Sequence, residues 1–400
     1  MAGSATSPEA QAPVAWDPLV QPDDPYPLYR RLRDEAPVYW NAEREMWALS
    51  RFDDIHAAAR DWETFSSSAG GTGNDADDGY QLFEPAGDVA AADPPLHTRL
   101  RGALRMAFSP SQIRSRFEDP VRLRANALID VFADTGGADL AREFARPLPA
   151  HMIFTWLGFP DADHEQLQEW FARMLDRVIG QRALPPSALA ARDDMRVYLV
   201  SAAADRRRTA RDDLLGFLVA AQADGQLSGD EVIGGCMLLF MAGITTTSGL
   251  ISNSLLNLDR FPDQREILRR EPGRMPAAIE ELLRFDAPIQ TLVRATTRDV
   301  HLNGSTIPAA SRVNLIWASA NRDERRWSDP DRLDITRDPQ RHVAFGEGIH
   351  LCLGAPLARL EGRIALEELF KRIPEYAVSG PIVRISTPTD RALESLPVVF

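Results

Sequence analysis

The chain has 400 residues, 44% of them hydrophobic and 26% charged, which is an ordinary composition for a protein with a large buried core. Its formal net charge of -13 argues against nucleic acid as the main partner. The two cysteines, Cys236 and Cys352, do not make a disulfide framework and fit a reducing cytoplasm. Residues 1–15 have neither the basic nor the apolar segment of a secretory signal. We expect them to form a disordered tail ahead of a single domain, residues 16–400.

Short elements are expected before residue 80, and helices between residues 109 and 223. The first elements are a helix over 27–35, two strand-like runs over 37–40 and 46–49, and a loop rich in Gly, Ser and Asp over 66–79. Apolar residues then recur at helical spacing over 109–223, with breaks at Pro160 and Pro185. The middle of the chain is therefore predicted to be mostly helical.

A long apolar helix is predicted next. No charged residue occurs over 232–258, a length that could span a bilayer. The segment is rich in Gly, Thr, Ser and Asn, which suits a helix buried in protein better than one facing lipid. Ser228 and Glu231 form a capping box at its start and Pro262 closes it, so the helix would cross the molecule over ~45 Å. We expect a soluble protein; a membrane-anchored helical protein is the alternative.

Beyond residue 286 the pattern changes to short strands, around 293–302 and 311–316. An irregular arginine-rich segment, a glycine-rich loop and a last helix follow. Strands are thus expected only near the two ends of the chain. The predicted fold class is mainly α with a small β region.

The glycine-rich loop carries the most specific motif. Residues 345–354 read FGEGIHLCLG. A thiolate that binds haem iron must lie against the porphyrin with little intervening side chain, and the three glycines allow this approach. Pro356 suits the first turn of a helix whose positive end would face the thiolate of Cys352. A lone cysteine is more often a small buried hydrophobe, which is the interpretation for Cys236.

The pattern F-G-x-G-x-H-x-C-x-G resembles the haem-binding loop of the cytochrome P450 family, and the resemblance covers nearly the whole chain. It implies the cytochrome P450 fold, with haem b between the long central helix and this loop. Cys352 would be the axial iron ligand, and Phe345 and Gly346 would contact the haem. A thiolate ligand pushes electron density onto iron and favours oxygen activation. The resemblance therefore implies a monooxygenase that uses O2.

Four further residues match the family's contacts to the haem propionates: His97, Arg101, Arg294 and His350. His97 and Arg101 lie four residues apart on one face of a helix that opens at Pro95. Taken singly, each of the four is more simply a solvated surface group. Together with the cysteine loop they favour a haem site, because arginine suits carboxylate groups.

A second family motif, E-x-x-R, matches Glu281 and Arg284. The resemblance implies an ion-pair network behind the haem, with Arg332 as its third member. An exposed i,i+3 pair is the alternative. Leu333 stands where the family usually has phenylalanine.

The oxygen-activating site implied by the resemblance lies in the central helix. Small Ala242 and Gly243 leave room for O2, and Thr246 matches the threonine that positions a proton-bearing water. The family has an acidic residue just before this threonine, but here Thr245 takes its place. Thr245 and Thr246 are the candidate catalytic residues.

Candidate substrate contacts come from the same helix, from the segment after the E-x-x-R helix, and from the C-terminal turn. They are Met237, Phe240, Met241, Ile244, Ile289, Leu292 and Leu393. An apolar stripe on a helix is more often plain core. The C-terminal third looks most like bacterial members that hydroxylate or O-demethylate small aromatic acids. Those relatives have an arginine after a Phe-Ser-Ser-like run, but Ala69 and Gly70 follow here, which favours a neutral substrate.

The expected partners are separate redox proteins, since no reductase segment remains in the sequence. Seven arginines stand against Glu118 and Asp119 over residues 96–125. In the family this side receives an acidic iron–sulfur ferredoxin, which is reduced by NAD(P)H through its reductase. A solvated helix face is the alternative explanation. We expect a monomeric enzyme; a peroxide-using or non-oxygenating haem-thiolate protein is the alternative function.

Overall fold

The computed structural model describes residues 14–17, 20, 23–68, 86–176, 184–338, 341–385, 387 and 389–400. Most of the predicted tail, and the predicted loop beyond Ser68 with Ala69 and Gly70, lie outside these residues. Within them the helices are α1 (Tyr26–Glu35), α2 (Phe52–Arg60), α3 (Leu96–Arg105), α4 (Pro110–Phe132), α5 (Pro147–Leu157), α6 (His164–Met174), α7 (Pro186–Arg208), α8 (Leu214–Ala223), α9 (Gly229–Arg260), α10 (Pro262–Arg270), α11 (Met275–Phe285), α12 (Trp317–Ala320) and α13 (Ala355–Arg372).

The strands are β1 (Val38–Asn41), β2 (Met46–Leu49), β3 (Phe65–Ser66), β4 (Gly137–Asp139), β5 (Leu292–Thr296), β6 (Val300–Leu302), β7 (Ser305–Ile307), β8 (Arg312–Leu315), β9 (Ala377–Val378), β10 (Val383–Arg384), β11 (Leu393–Ser395) and β12 (Pro397–Val399). The main sheet has the order β1-β2-β8-β5-β3, so it joins strands from both ends of the chain. β2 and β8 are parallel, and the other pairs are antiparallel.

The short strands predicted around 293–302 are β5 and β6, which a bend at Thr297 and Arg298 separates. The strand predictions need one correction. β4 lies in the middle of the chain, where only helices were predicted. It pairs with β12, with Val398 opposite Ala138, and this partner is distant in sequence.

The central helix α9 has 32 residues, and its predicted capping box is confirmed. The Glu231 N–H donates to Ser228 Oγ at 3.2 Å, and the Ser228 N–H donates to the Glu231 carboxylate at 2.8 Å. The helix ends before Pro262, the first residue of α10. By length and composition it could cross a membrane, but 83% of its most apolar 18-residue window is buried inside the protein. Burial of this kind is typical of a core helix.

Close packing against α9 depends on small residues. A Cβ on Gly362 of α13 would come within 2.8 Å of the Leu250 side chain, and one on Gly243 would come within 3.2 Å of Ile153 of α5. Glycine therefore lets both helices approach α9 closely. This arrangement places α9 between α5 and α13, with the cysteine loop leading directly into α13.

Candidate functional site

The loop before α13 is held by its own backbone. The Cys352 N–H donates to the Phe345 carbonyl at 2.9 Å, and Gly346 and Gly348 have φ values of +71° and +70°. Residues with side chains rarely adopt this left-handed conformation. A Cβ on Gly348 would also lie only 2.5 Å from the Ala59 carbonyl of α2, so the loop packs tightly behind the cysteine.

The Cys352 side chain is exposed, although protein surrounds its sulfur closely enough for burial to raise the pKa of the thiol. The sulfur therefore faces a cleft within the fold. The backbone N–H groups of Gly354 and Ala355 donate to it and lower the pKa, as do the charges of Arg101 and Arg359. These donors lie at the N-terminus of α13, where a helix favours negative charge. Cys236, in contrast, is buried in α9, and burial raises the pKa of its thiol to about 12.

Four basic side chains meet beside this loop. The rings of His97 and His350 have centroids 4.5 Å apart, and Arg101 donates to the Leu351 carbonyl at 2.6 Å. Burial and the charges of Arg294, His97 and Arg101 lower the pKa of His350 to about 3, against an opposing effect of Asp93. The structure therefore brings together His97, Arg101, Arg294 and His350, which α3, β5 and the loop supply.

This cluster is short of negative charge. Burial lowers the pKa of Arg294 to about 10, and its Nη1 donates only to the Val293 carbonyl, at 2.8 Å. Asp93, the acidic group that raises this pKa, accepts hydrogen bonds from Ser66, Ser67 and Ser68. No carboxylate of the described chain lies within ion-pair distance of Arg294 or Arg101. A buried guanidinium without a carboxylate is unfavourable, so the cluster is suited to an anionic ligand.

The central helix opens at one point. Ala242 is exposed and Gly243 and Thr246 are half-buried, whereas most of α9 is buried. Thr246 Oγ donates to the Ala242 carbonyl at 2.8 Å. Thr245 is buried, and its hydroxyl has no hydrogen-bond partner among the described residues. Both predicted catalytic residues thus lie at or next to the open part of the helix.

The predicted substrate contacts fall into two groups. Met237, Phe240 and Ile244 are fully buried, and the Phe240 ring packs on Phe154 and Phe171 at centroid distances of 5.6 and 5.7 Å. The others lie elsewhere: Met241 is buried beside Ala242, Ile289 and Leu292 are half-buried, and Leu393 is buried, with its N–H donating to Ser252 Oγ of α9 at 3.4 Å. The residues that belong to the hydrophobic core of the described structure are therefore Met237, Phe240, Met241, Ile244 and Leu393, whereas Ile289 and Leu292 are only partly buried.

Sequence reasoning missed Leu238 and Leu239. They precede Ala242 by four and three residues, and residues at these spacings share a helix face. Both keep some exposure, 8% and 9%, in a helix whose neighbouring side chains are almost completely buried. The spacing from Ala242 could have identified them.

The E-x-x-R pair is buried, which excludes the surface alternative. Arg284 Nε donates to Glu281 at 2.7 Å, and the two side chains are 2% and 3% exposed. The third member is Arg337, which donates to Glu281 at 3.3 Å. The prediction of Arg332 was wrong, because this residue contributes only its backbone carbonyl, which accepts from Arg284 and Arg337 at 3.3 Å.

Fold and site together define a mainly α enzyme with a thiolate-ligand loop. The sequence profile of the cytochrome P450 family matches residues 29–373. A putative cytochrome P450 123 of Mycobacterium tuberculosis is 36% identical over 379 residues, which is 94% of each chain. The chain belongs to the cytochrome P450 family and is a haem-thiolate monooxygenase.

Solved structures agree with this assignment. Cytochrome P450 PksS of the bacillaene polyketide synthase of Bacillus subtilis superposes with a TM-score of 0.88 at 32% identity, covering 96% of this chain and 99% of the other. CYP109E1 of Bacillus megaterium, in complex with testosterone, gives a TM-score of 0.85 at 30% identity, covering 94% and 97%.

The residues present fit the haem that this family carries. Its carboxylates would supply the negative charge that the basic cluster lacks, and in the part of the chain that the structure describes the buried His97 Nε2 has no hydrogen-bond partner. The Cys352 sulfur already receives two N–H donors, as a thiolate requires. Phe345 is the first residue of the loop, and the Arg359 guanidinium lies over its ring, 4.4 Å from the centroid.

Replacing Arg294 or Arg101 with alanine should therefore weaken haem retention. Each loses a charge-assisted hydrogen bond to a propionate, ~1.5–3 kcal/mol, so haem should leave about tenfold to a hundredfold faster. Transfer to apomyoglobin measures this rate. Arg298→Ala is the control, because Arg298 is exposed and pairs with Asp61. Unchanged haem transfer from both test variants would show that other residues hold the propionates.

Proposed function

We propose that this haem-thiolate monooxygenase inserts one oxygen atom from O2 into a small, largely apolar and neutral substrate, by hydroxylation or O-demethylation. The observation that carries this proposal is the composition of the open face of α9. It presents Ala242, Gly243, Leu238 and a threonine hydroxyl, and no charged residue occurs over 232–258. A carboxylate entering here would lose water without gaining a cationic partner from this helix.

Other predicted substrate contacts support the same substrate class. Ile289 and Leu292 are apolar and half-buried, and Leu393, the first residue of β11, donates its N–H to Ser252 of α9. CYP109E1, which shares the fold, was solved with testosterone, a neutral steroid. Small neutral aromatic molecules fit these requirements as well, and we favour them because of the C-terminal sequence match.

In this proposal the bound haem supplies the chemistry of oxygen activation, and the chain supplies four functions. Cys352 would bind the iron, and the N–H groups of Gly354 and Ala355 would favour its thiolate form. His97, Arg101, Arg294 and His350 would bind the propionates. Thr246 keeps its lone pairs for a water while its proton is given to the Ala242 carbonyl. Thr245 can pass a proton only through ordered water, since its hydroxyl does not ionise near neutral pH.

Electrons would come from an acidic ferredoxin that docks over α13. A groove of about 570 Å³ lies between α4, α11 and α13, lined by Ile113, Arg114, Glu280, Arg359, Arg363 and their neighbours. Much of its positive charge is already neutralised, since Arg359 pairs with Glu280 and Arg363 with Glu118. Arg114 has no ion-pair partner among the described residues. It is the group we assign to a carboxylate of the ferredoxin.

We infer that the enzyme is monomeric and cytoplasmic. Its electrons would come from NAD(P)H through the ferredoxin and its reductase. Peroxide-driven turnover is the alternative, and the residue that favours it is Thr245 in place of an acid. Equal product yields with hydrogen peroxide alone and with the complete redox chain would support that alternative.

A spectral titration tests the substrate class. Methyl benzoate and benzoate share a ring and differ in charge, and each shifts the Soret band of the ferric protein when it displaces the water on the iron. We expect the ester to bind at least tenfold more tightly. The carboxylate of benzoate would lose its water on binding, and no counter-ion would offset that free-energy cost. Tighter binding of benzoate would contradict the proposed neutral pocket.

A further inference from the structure

A cluster of potential metal ligands lies where α5 connects to α6, and none of its residues belongs to the haem site described above. His151 comes from α5, Asp161 from the turn after it, and His164 from the first residue of α6. One ligand atom from each residue lies within 4.8 Å of the other two. The two imidazole rings meet edge to face with centroids 5.3 Å apart, and His164 Nε2 is 3.7 Å from an Asp161 oxygen.

Local pairing explains only part of this cluster. Asp161 and His164 are three residues apart and could form a simple ion pair at the start of α6. That pair gives no reason for His151, which another helix brings to the same point. His164 is held in place by the Phe154 ring, at a centroid distance of 5.1 Å, and by the Phe159 carbonyl, 3.3 Å from Nε2. Its orientation toward the other two side chains is therefore fixed by packing.

The donor set suits zinc. Two imidazoles and a carboxylate are three protein ligands of a kind that Zn²⁺ binds at ~2.0–2.2 Å, with water completing a tetrahedron. Ligand atoms in such a site are ~3.3 Å apart, so the side chains must close by about an ångström from their present positions. The Asp161 side chain is 89% exposed and can rotate, and His151 is half-buried.

One charge opposes a cation here. Arg124 of α4 lies close enough to His151 to lower the pKa of that imidazole, after the larger effect of burial. Its Nε is buried without a hydrogen-bond partner among the described residues. Burial lowers the pKa of Arg124, and the nearby Asp161 carboxylate opposes this effect. The neighbouring guanidinium thus competes with a metal for Asp161. Removal of the Arg124 guanidinium should strengthen metal binding. The test can therefore include one variant that is expected to bind the metal more tightly, beside those expected to bind it more weakly.

We propose that His151, Asp161 and His164 form a Zn²⁺ site, separate from the haem, that fixes the start of α6 to α5. The metal would replace the interaction of His164 Nε2 with the Phe159 carbonyl and join two helices that the chain connects only through the turn over 158–163. The site binds without any change in oxidation state, since zinc has no redox chemistry.

The test uses the chelator-treated holoenzyme, titrated with ZnCl2 in competition with a chromogenic zinc chelator. We expect one equivalent to bind, and His151→Ala and Asp161→Ala each to weaken it at least tenfold. Arg124→Gln should tighten binding several-fold. The control is His301→Ala, which removes an exposed histidine whose Nδ1 is 2.9 Å from Thr306 Oγ.

Thermal melting provides the second measurement, because His164 is packed in the core and its replacement could unfold α6. ZnCl2 should raise the melting temperature of the wild-type protein and of His301→Ala, but not that of His151→Ala or Asp161→Ala. The carbon monoxide spectrum confirms that each variant keeps its haem. Absence of stoichiometric binding, or binding that both variants retain at full strength, would overturn the proposal.

Discussion

Replacement of Arg284 with leucine should prevent the protein from holding its haem and from folding stably. The guanidinium donates to both oxygens of Glu281, at 2.7 and 2.9 Å, and to the Asn321 and Pro330 carbonyls at 2.9 and 3.0 Å. Without it the buried Glu281 carboxylate keeps, among the described residues, only Arg337 at 3.3 Å and the Asp334 N–H at 3.0 Å as donors. Breaking a buried pair on one side costs about 3–5 kcal/mol. Denaturant unfolding and the yield of haem-containing protein measure the loss.

Arg332→Ala is the matched control for this variant. Arg332 contributes only its backbone carbonyl to the network, so truncation of its side chain should change the free energy of unfolding by less than about 0.5 kcal/mol. Arg337→Ala should fall between the two, because Arg337 makes one longer contact with Glu281. A variant of Arg332 as unstable as that of Arg284 would show that the network is organised differently.

Restoring an acid at position 245 should raise the fraction of NAD(P)H consumption that appears as oxygenated product. Oxygen activation needs two protons in a buried site, and a carboxylate exchanges protons with water far faster than a threonine hydroxyl does. Positioned acids contribute ~10²-fold or more to such transfers, so we expect Thr245→Asp or Thr245→Glu to raise coupling several-fold. Product and peroxide are measured together for each NAD(P)H consumed.

Two further variants make this experiment interpretable. Thr246→Ala should lower coupling, since it removes the hydroxyl that we assign to the water. Thr247→Val is the control, because it replaces a buried hydroxyl outside the proposed relay. Thr245 is only 8% exposed, and a new carboxylate there could destabilise α9, so melting curves come first. If both well-folded acidic variants couple worse than the wild type, the threonines themselves form a working relay through water.

The sequence was sufficient to predict the features that depend on residues close together in the chain. Ser228 and Glu231 define the start of α9 by their spacing, and Gly346 and Gly348 allow the positive φ angles of the cysteine loop. The third member of the Glu281 network was not predictable in this way. Arg332 and Arg337 both follow Pro330 closely, and only the path of the backbone decides which side chain reaches the carboxylate.

The sequence also does not predict which face of α9 lines the substrate site. Helical periodicity places Phe240 and Leu238 on different faces of α9, but it does not say which face meets α5 and α6 and which meets the cleft. The pairing of β4 with β12 likewise depends on contacts between distant segments. Sequence patterns assign the type of element, whereas the identity of the neighbour comes from packing.

The carbon monoxide difference spectrum of the reduced protein tests the central assignment most directly. Cys352 is exposed and has N–H donors on its sulfur, whereas Cys236 is buried in α9, so we expect Cys352 and not Cys236 to bind the iron. The wild-type protein and Cys236→Ala should both show the red-shifted Soret band of a thiolate ligand, and Cys352→Ala should lack it. A red-shifted band that survives Cys352→Ala and disappears in Cys236→Ala would contradict the account.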